Sequence, residues 1–374
     1  MSRPSRLTDS IPCLSSRREF LIRSAAACWA GSLVPGLSRS SLASLHPAHS
    51  ARETALGFLA LLGKDQTNAA RIPYVDDRRS QWHFIPMESR KGLPLREMNA
   101  AQREAAFGLM ATLLSEDGFR RAVDIMAYEA ILLELEGPAQ AKRRDYQKFY
   151  FAIYGNPDPN ELWGASVEGH HLSINLTFQG DRIVDSTPQF FGVNPATLRR
   201  DFETPDPILG SGKLPFAKGK RLLLPEEGAA FALLQSLDPS QRSRAIFSDT
   251  CPDDIQWPGE PQPVPATPVG LPASELNESQ QKQLTAILDA YFTTMPKAVA
   301  DERWQLLRRG GVDGIHFGWA GGSAAGEQHF VRLHGPSFIA ELCNFQTDPE
   351  GNRANHIHSV WRDLTGDFHL PIAS

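Results

Sequence analysis

The sequence predicts an α+β fold in which helices pack on one face of a mainly antiparallel sheet, as a single large domain over 44–374. Three observations lead there. Apolar residues recur at three-and-four spacing through much of 51–152 and again through 225–308, which is the helical period. Apolar and polar residues alternate in 163–190, and further β-like runs fill 314–362. The order is thus helices, strands, helices, strands, which sets helices against a sheet rather than between its strands. About 330 residues suffice to bury one large core.

Residues 1–43 read as an export signal. Ser16-Arg17-Arg18-Glu19-Phe20-Leu21 precedes Ile22, Arg23 and a weakly apolar run over 24–37, and Ser41-Leu42-Ala43 supplies small residues for cleavage before Ser44. That is the layout of a twin-arginine signal, with Arg17 and Arg18 engaging a twin-arginine translocase. The expected location of the mature protein is the periplasm or the exterior. The apolar run is shorter than the about 20 residues that span a bilayer, and no later segment comes close, so no stable membrane span is expected.

Loss of 1–43 removes six arginines and two acids and moves the formal charge from -5 to -9. An acidic chain without basic tracts argues against nucleic acid as a partner. Of the four cysteines, Cys13 and Cys28 leave with the signal. Cys251 and Cys343 remain. In an oxidising compartment they can pair, or Cys343 can stay a free thiol on the face of Glu341.

The mature chain begins with helical stretches at 53–62, 95–114 and 119–135, the last two separated by the Ser115-Glu116-Asp117-Gly118 break. Leu172, Ile174, Leu176 and Phe178 then alternate with Ser173, Asn175, Thr177 and Gln179, and Gly180-Asp181 signals a hairpin. Helices follow at 225–237 and 241–247. The proline-rich segment 251–272 has no period and reads as an extended surface loop. Helices resume at 275–294 and 299–307, and strands at 315–319, 328–334, 337–345 and 356–361. One internal echo is present: Glu168-Gly169-His170 and Glu327-Gln328-His329 each follow a tryptophan, Trp163 and Trp319, but the gaps differ in length.

Histidine carries the candidate chemistry. His356 and His358 are two apart, so a strand aims both rings to one side, and bending at the strand end would let them share a metal. Glu341, a lone acid in an apolar strand, is a natural third ligand. His170 and His171, as adjacent strand residues, point to opposite faces, so one of them would join, and His171 lies on the polar face. Glu168, Ser173, Asn175, Arg332, His334, Arg362 and Asp363 are candidates to orient ligands or bind a small-molecule substrate. The competing reading is that these histidines are ordinary hydrogen-bonding groups.

The segment from Trp163-Gly164 to Asn175 and Thr187-Pro188-Gln189-Phe190-Phe191-Gly192-Val193-Asn194-Pro195-Ala196 resemble a bacterial family known as domain of unknown function 3500. Phe317-Gly318-Trp319-Ala320-Gly321, Gly335-Pro336 with Glu341, and His356-Ile357-His358-Ser359-Val360-Trp361-Arg362-Asp363 with Gly366-Asp367-Phe368 extend the resemblance over nearly all of the mature chain. It implies a family without a mechanism. Leu342-Cys343 departs from it, standing where an aromatic and an acid are expected.

Two histidines and a carboxylate with an open position suit zinc-assisted hydrolysis or iron or copper redox chemistry, so a divalent metal ion is the expected cofactor. The alternative is a non-catalytic periplasmic protein that binds a small molecule or metal. Nucleophile-elbow and His-Glu-x-x-His motifs are absent, no Ser-x-x-Lys occurs with its companion motifs, and dinucleotide and phosphate-loop fingerprints are absent too, so no nucleotide is expected.

Overall fold

The computed structural model of the chain describes residues 50–264 and 267–371, so the signal-like segment with Arg17 and Arg18 lies outside the described residues. The first half runs α1 (Ala51–Ala60), α2 (Lys64–Ala70), β1 (Arg71–Ile72), β2 (Leu93–Pro94), α3 (Ala100–Leu113), α4 (Glu116–Glu136), β3 (Tyr150–Tyr154), β4 (Leu162–Gly169), β5 (Leu172–Gln179), β6 (Arg182–Asp185) and β7 (Gln189–Val193). A separate hairpin, β8 (Phe202–Pro205) and β9 (Lys213–Phe216), leads to the second half. There the order is α5 (Leu224–Ser236), α6 (Pro239–Ala245), β10 (Ile246–Ser248), β11 (Leu271–Pro272), α7 (Glu278–Phe292), α8 (Lys297–Gly310), β12 (His316–Gly321), β13 (His329–His334), β14 (Phe338–Gln346) and β15 (His356–Asp363).

Among the described residues, thirteen strands form one sheet in the order β1-β3-β4-β5-β7-β15-β14-β13-β12-β10, with β2 beside β3, β6 beside β5 and β11 beside β12. The expectation of a mainly antiparallel sheet is corrected by this arrangement: the sheet is mixed, because β1 joins β3 and β10 joins β12 in parallel at its two ends. The physical reason is a crossover. In each half the chain leaves a strand of two or three residues, passes through a long loop and two helices, and returns beside that strand in the same direction. Strands that short carry no alternation, so the sequence could not reveal them. Likewise Tyr150–Tyr154 is buried throughout and lacks a period, which is why the helical reading ran on to 152.

Alternation divides the sheet's faces. Val167, Leu172, Ile174, Leu342, Ile357 and Trp361 belong to the main core with residues of α3, α4 and α7. On the other face lie Phe190, Phe330, Cys343 and Val360, packed with Trp82, Phe84 and Ile255 from the segments between β1 and β2 and between β10 and β11. The proline-rich segment is therefore a cover over part of the sheet's second face, against β14 and β15.

The two halves repeat one another. Leu93-Pro94 pairs with β3 as Leu271-Pro272 pairs with β12, and Leu93↔Phe151 matches Leu271↔Phe317. Asn99 caps α3 as Asn277 caps α7. Gln66 and Gln102 exchange amide hydrogen bonds at 3.0 and 2.8 Å, and Gln241 and Gln280 do so at 3.1 and 2.7 Å. Ser166↔Asn175 on β4–β5 corresponds to Arg332↔Glu341 on β13–β14. At the centre, Gln189 pairs with its own equivalent, Trp361, so a pseudo-twofold axis passes between β7 and β15.

Candidate metal centre

His356 and His358 face away from the helices, on the loop-covered side of β15, as alternation requires. In a regular strand two such rings are too far apart to meet. Here the pairing of β14 with β15 shifts register between Asn344 and Gln346, where Asn344 faces Ile357 and Gln346 faces His356. Such a bulge bends the strand, and Asn344 Oδ1 accepts from the His356 backbone N at 3.2 Å beside it. The ring centroids end 4.7 Å apart, edge to face.

The third imidazole comes from across the sheet. His170 and His171 form the two-residue turn that joins β4 to β5, not part of a strand, so the rule of opposite faces does not bind them. His171 has a left-handed backbone, φ 61°, which a residue with a Cβ adopts at a cost. Its N donates to Phe84 O at 2.9 Å and its O accepts from Gly192 N at 2.7 Å, which fix the turn. Gly192 has to be glycine for packing reasons: a Cβ there would lie 2.8 Å from His171 Cδ2 and 3.1 Å from His358 Cδ2.

The result is a buried cluster of His171, His356 and His358 whose ligand atoms lie within 4.8 Å of one another. His171 Nε2 and His356 Nε2 are 2.8 Å apart. His358 Nδ1 meets Asp254 Oδ1 at 2.7 Å, and since a carboxylate only accepts, Nδ1 donates and Nε2 is the ring's remaining position. That Nε2 is buried and has no hydrogen-bond partner. Burial, reinforced by the neighbouring imidazoles, holds His171 and His356 well below the usual histidine range, so both are neutral, as metal ligands must be. A single proton can satisfy one pair of these nitrogens, whereas a cation satisfies all three. Two nitrogens bound at about 2.0–2.1 Å in a tetrahedral site lie about 3.3 Å apart, so the His171–His356 pair would open by only about 0.5 Å.

His170 stacks on His171 with ring centroids 3.7 Å apart and turns its own Nδ1 to Glu129 of α4. Burial, and then the charge of Arg144, depresses His170, while burial raises Glu129 to about 8. The pair therefore steadies the turn from the helical side.

The remaining candidates stand apart from the three rings. Glu341 lies in a buried ion pair with Arg332, Nε to Oε1 2.7 Å, and also accepts from Gln256 N at 2.7 Å. Burial raises Glu341 and Arg332 opposes the shift. Arg362 is held by Asp367 at 2.7 Å and by the backbone oxygens of Trp257 and Glu260. Glu168 pairs with Lys91 at 2.6 Å, and Asn175 donates to Ser173 and to Pro188 O, each at 3.0 Å. Asp363 meets Arg303 at 3.3 Å. His334 ends β13 opposite His316, and burial lowers it. The sequence reading missed Asp254 and Glu129. The lone acid of Glu129 among Ile125, Met126, Ile131 and Leu132 was a usable signal, but Asp254, within a segment with no period, gave none.

Residues 45–369 match the family described as "Protein of unknown function (DUF3500)". No curated protein and no solved structure matches the chain. No helix among the described residues is long and apolar enough to cross a membrane.

Proposed function

The chain belongs to the DUF3500 family, and from the geometry of its site we propose that it is an exported metalloprotein whose divalent ion is held by His171, His356 and His358. The observation that carries this reading is the convergence of three buried imidazoles, with the buried Nε2 of His358 lacking any partner. Burying such a nitrogen unpaired is costly, and a metal ion relieves the cost. Asp254 orients His358 in the manner of an outer-shell carboxylate.

Three histidines leave coordination positions for water or substrate, which supports a metal-dependent enzyme acting on a small molecule in the envelope. Zinc, iron and copper all accept imidazole. The twin arginines support export of the folded, metal-loaded protein through the twin-arginine translocase into the periplasm. Elemental analysis of protein purified from the native envelope tests the centre directly: zinc favours hydrolysis, and iron or copper favours redox chemistry. Equal metal content in wild type, His356→Ala and His358→Ala would remove the centre and leave these histidines as structural groups.

A second reading, a non-catalytic metal- or ligand-binding protein, draws support from the burial of all three rings. Cobalt substitution separates the two. An absorption spectrum and water relaxation that report an exchangeable water support the enzyme, and a closed coordination sphere supports the binding protein.

A further inference from the structure

Cys251 and Cys343 are 92 positions apart in the chain yet adjacent in space, at the point where the proline-rich cover first meets the sheet. Both thiols donate to one acceptor, Pro252 O, at 3.2 Å from Cys251 and 3.4 Å from Cys343, so the shared carbonyl holds the two sulfurs side by side. Cys343 is paired in register with His358 on the neighbouring strand, and it shares the face of Glu341. Cys251 lies three residues before Asp254, the partner of His358, and five before Gln256, whose N donates to Glu341. The pair thus stands at the root of the segment that orients the candidate metal centre.

The two sulfurs differ in access. Cys251, 7 % exposed, lines a surface cleft with Gly321, Gly322, Glu327, Gln328 and Arg353, whereas Cys343 is 2 % exposed and lies outside that lining. A thiol-exchange reagent entering the cleft reaches Cys251, and Cys343 waits behind it, which is the layout of an attacking and a resolving thiol.

We propose that Cys251 and Cys343 form a reversible dithiol–disulfide pair that, when oxidised, staples the cover segment to β14 and fixes Asp254 against His358. The oxidant is a disulfide of the envelope, protein-bound or small. Cys251 attacks one of its sulfurs, forming a mixed disulfide and releasing one thiol. Cys343 then attacks the Cys251 sulfur, closing the Cys251–Cys343 bond and releasing the second. Two protein thiols are oxidised, one disulfide is reduced to two thiols, and the two protons end on the thiols released.

The effect on the metal rests on the proposed centre, so the test reads the bond separately. Full-length mature protein, loaded with zinc, is treated with oxidised glutathione or with dithiothreitol, alkylated and weighed intact. The oxidised sample should lack alkyl groups and weigh less than its reduced, unalkylated form by two hydrogens, and the reduced sample should carry two alkyl groups. Persistent glutathione adducts, or two alkylated thiols after oxidant, overturn the proposal. Limited proteolysis then compares cutting within 252–264: oxidation should slow it several-fold in wild type and leave Cys251→Ser unchanged. Equal cutting in both redox states overturns the staple whether or not any metal binds. Zinc release to a chelator should slow several-fold on oxidation in wild type alone. If cutting slows but zinc release does not, the staple stands and its link to the centre falls, and if no zinc binds at all, the metal reading fails independently.

Discussion

Removing Asp254 isolates what the cover segment contributes to the centre. In Asp254→Ala the hydrogen bond to His358 Nδ1, 2.7 Å long, is lost, and with it the constraint on the orientation of the ring. Phe84, edge-on to the His358 ring at a centroid distance of 4.7 Å, and Phe190 still confine the ring, so the ligand remains but is less basic and less well aimed. Loss of such an outer-shell partner weakens metal binding about 10- to 100-fold, or about 1.4–2.7 kcal/mol. Asp254 is partly solvent-exposed, its side chain 25 % accessible, which points to the lower end of that range. Competition with a coloured chelator measures zinc affinity, and thermal melts are run on apo and zinc-loaded protein. The apo melts should nearly coincide, and the loaded melts should separate at limiting zinc. Unchanged affinity, or an apo difference as large as the loaded one, would refute the assignment of Asp254 as a positioning residue.

Three other perturbations test neighbouring parts of the structure. Gly192→Ala puts a Cβ against the rings of His171 and His358, so zinc affinity should fall tenfold or more by order of magnitude, since a clash under 3 Å forces a ligand to move; chelator competition reads it, and normal affinity would show that the rings have slack. Glu341→Gln leaves the buried Arg332 charge without its counterion and should cost about 3 kcal/mol in urea unfolding, with metal content unchanged; loss of metal instead would make Glu341 a ligand. Burial, aided by the charge of Asp363, raises Asp185 to about 7. A folded pKa above the unfolded value near 3.9 gives stability that is complete below pH 4 and lost as pH rises to about 7, at no more than about 1.4 kcal/mol per pH unit. Wild type should therefore lose stability relative to Asp185→Asn across that window, and parallel urea profiles would contradict the shift.

Much of the site was legible because strands have a period of two. His356 and His358 share a face for that reason alone, and the acid-free alternation of β5 announced a strand with a polar side. His171 was harder. Its position was read as strand, where it competes with His170 for one face, whereas a two-residue turn with a left-handed residue brings the stacked rings together. The bulge opposite His356 was also invisible, since a register shift depends on the partner strand. Asp254 was hidden for a related reason: a segment fixed by single contacts to a sheet carries no repeating signal. The duplication did leave a mark in the sequence, although not in the echo of Glu168 with Glu327. The informative match is Leu93-Pro94, Glu97, Asn99 and Gln102 against Leu271-Pro272, Glu275, Asn277 and Gln280, a strand, a cap and an amide pair that each half needs in order to fold.

The pseudo-twofold axis separates what the fold requires from what the site requires. Sheet register, caps and glutamine pairs occur twice, as expected of features that hold a half together. Even the contact that fixes the His171 turn is repeated, for Leu364 N donates to Ser337 O at 2.8 Å where Gly192 N donates to His171 O. The imidazoles are not repeated. Following the strand pairs outward from Gln189 and Trp361, Ser186 stands at the position of His358, Val184 at that of His356 and Ser337 at that of His171. The glycine that admits two rings becomes Leu364. Residues kept only for folding would be as free to recur at one end as at the other. The three histidines, their glycine and Asp254 occur together at one end of a repeated scaffold, so their demands on one another, rather than those of the sheet, account for their presence.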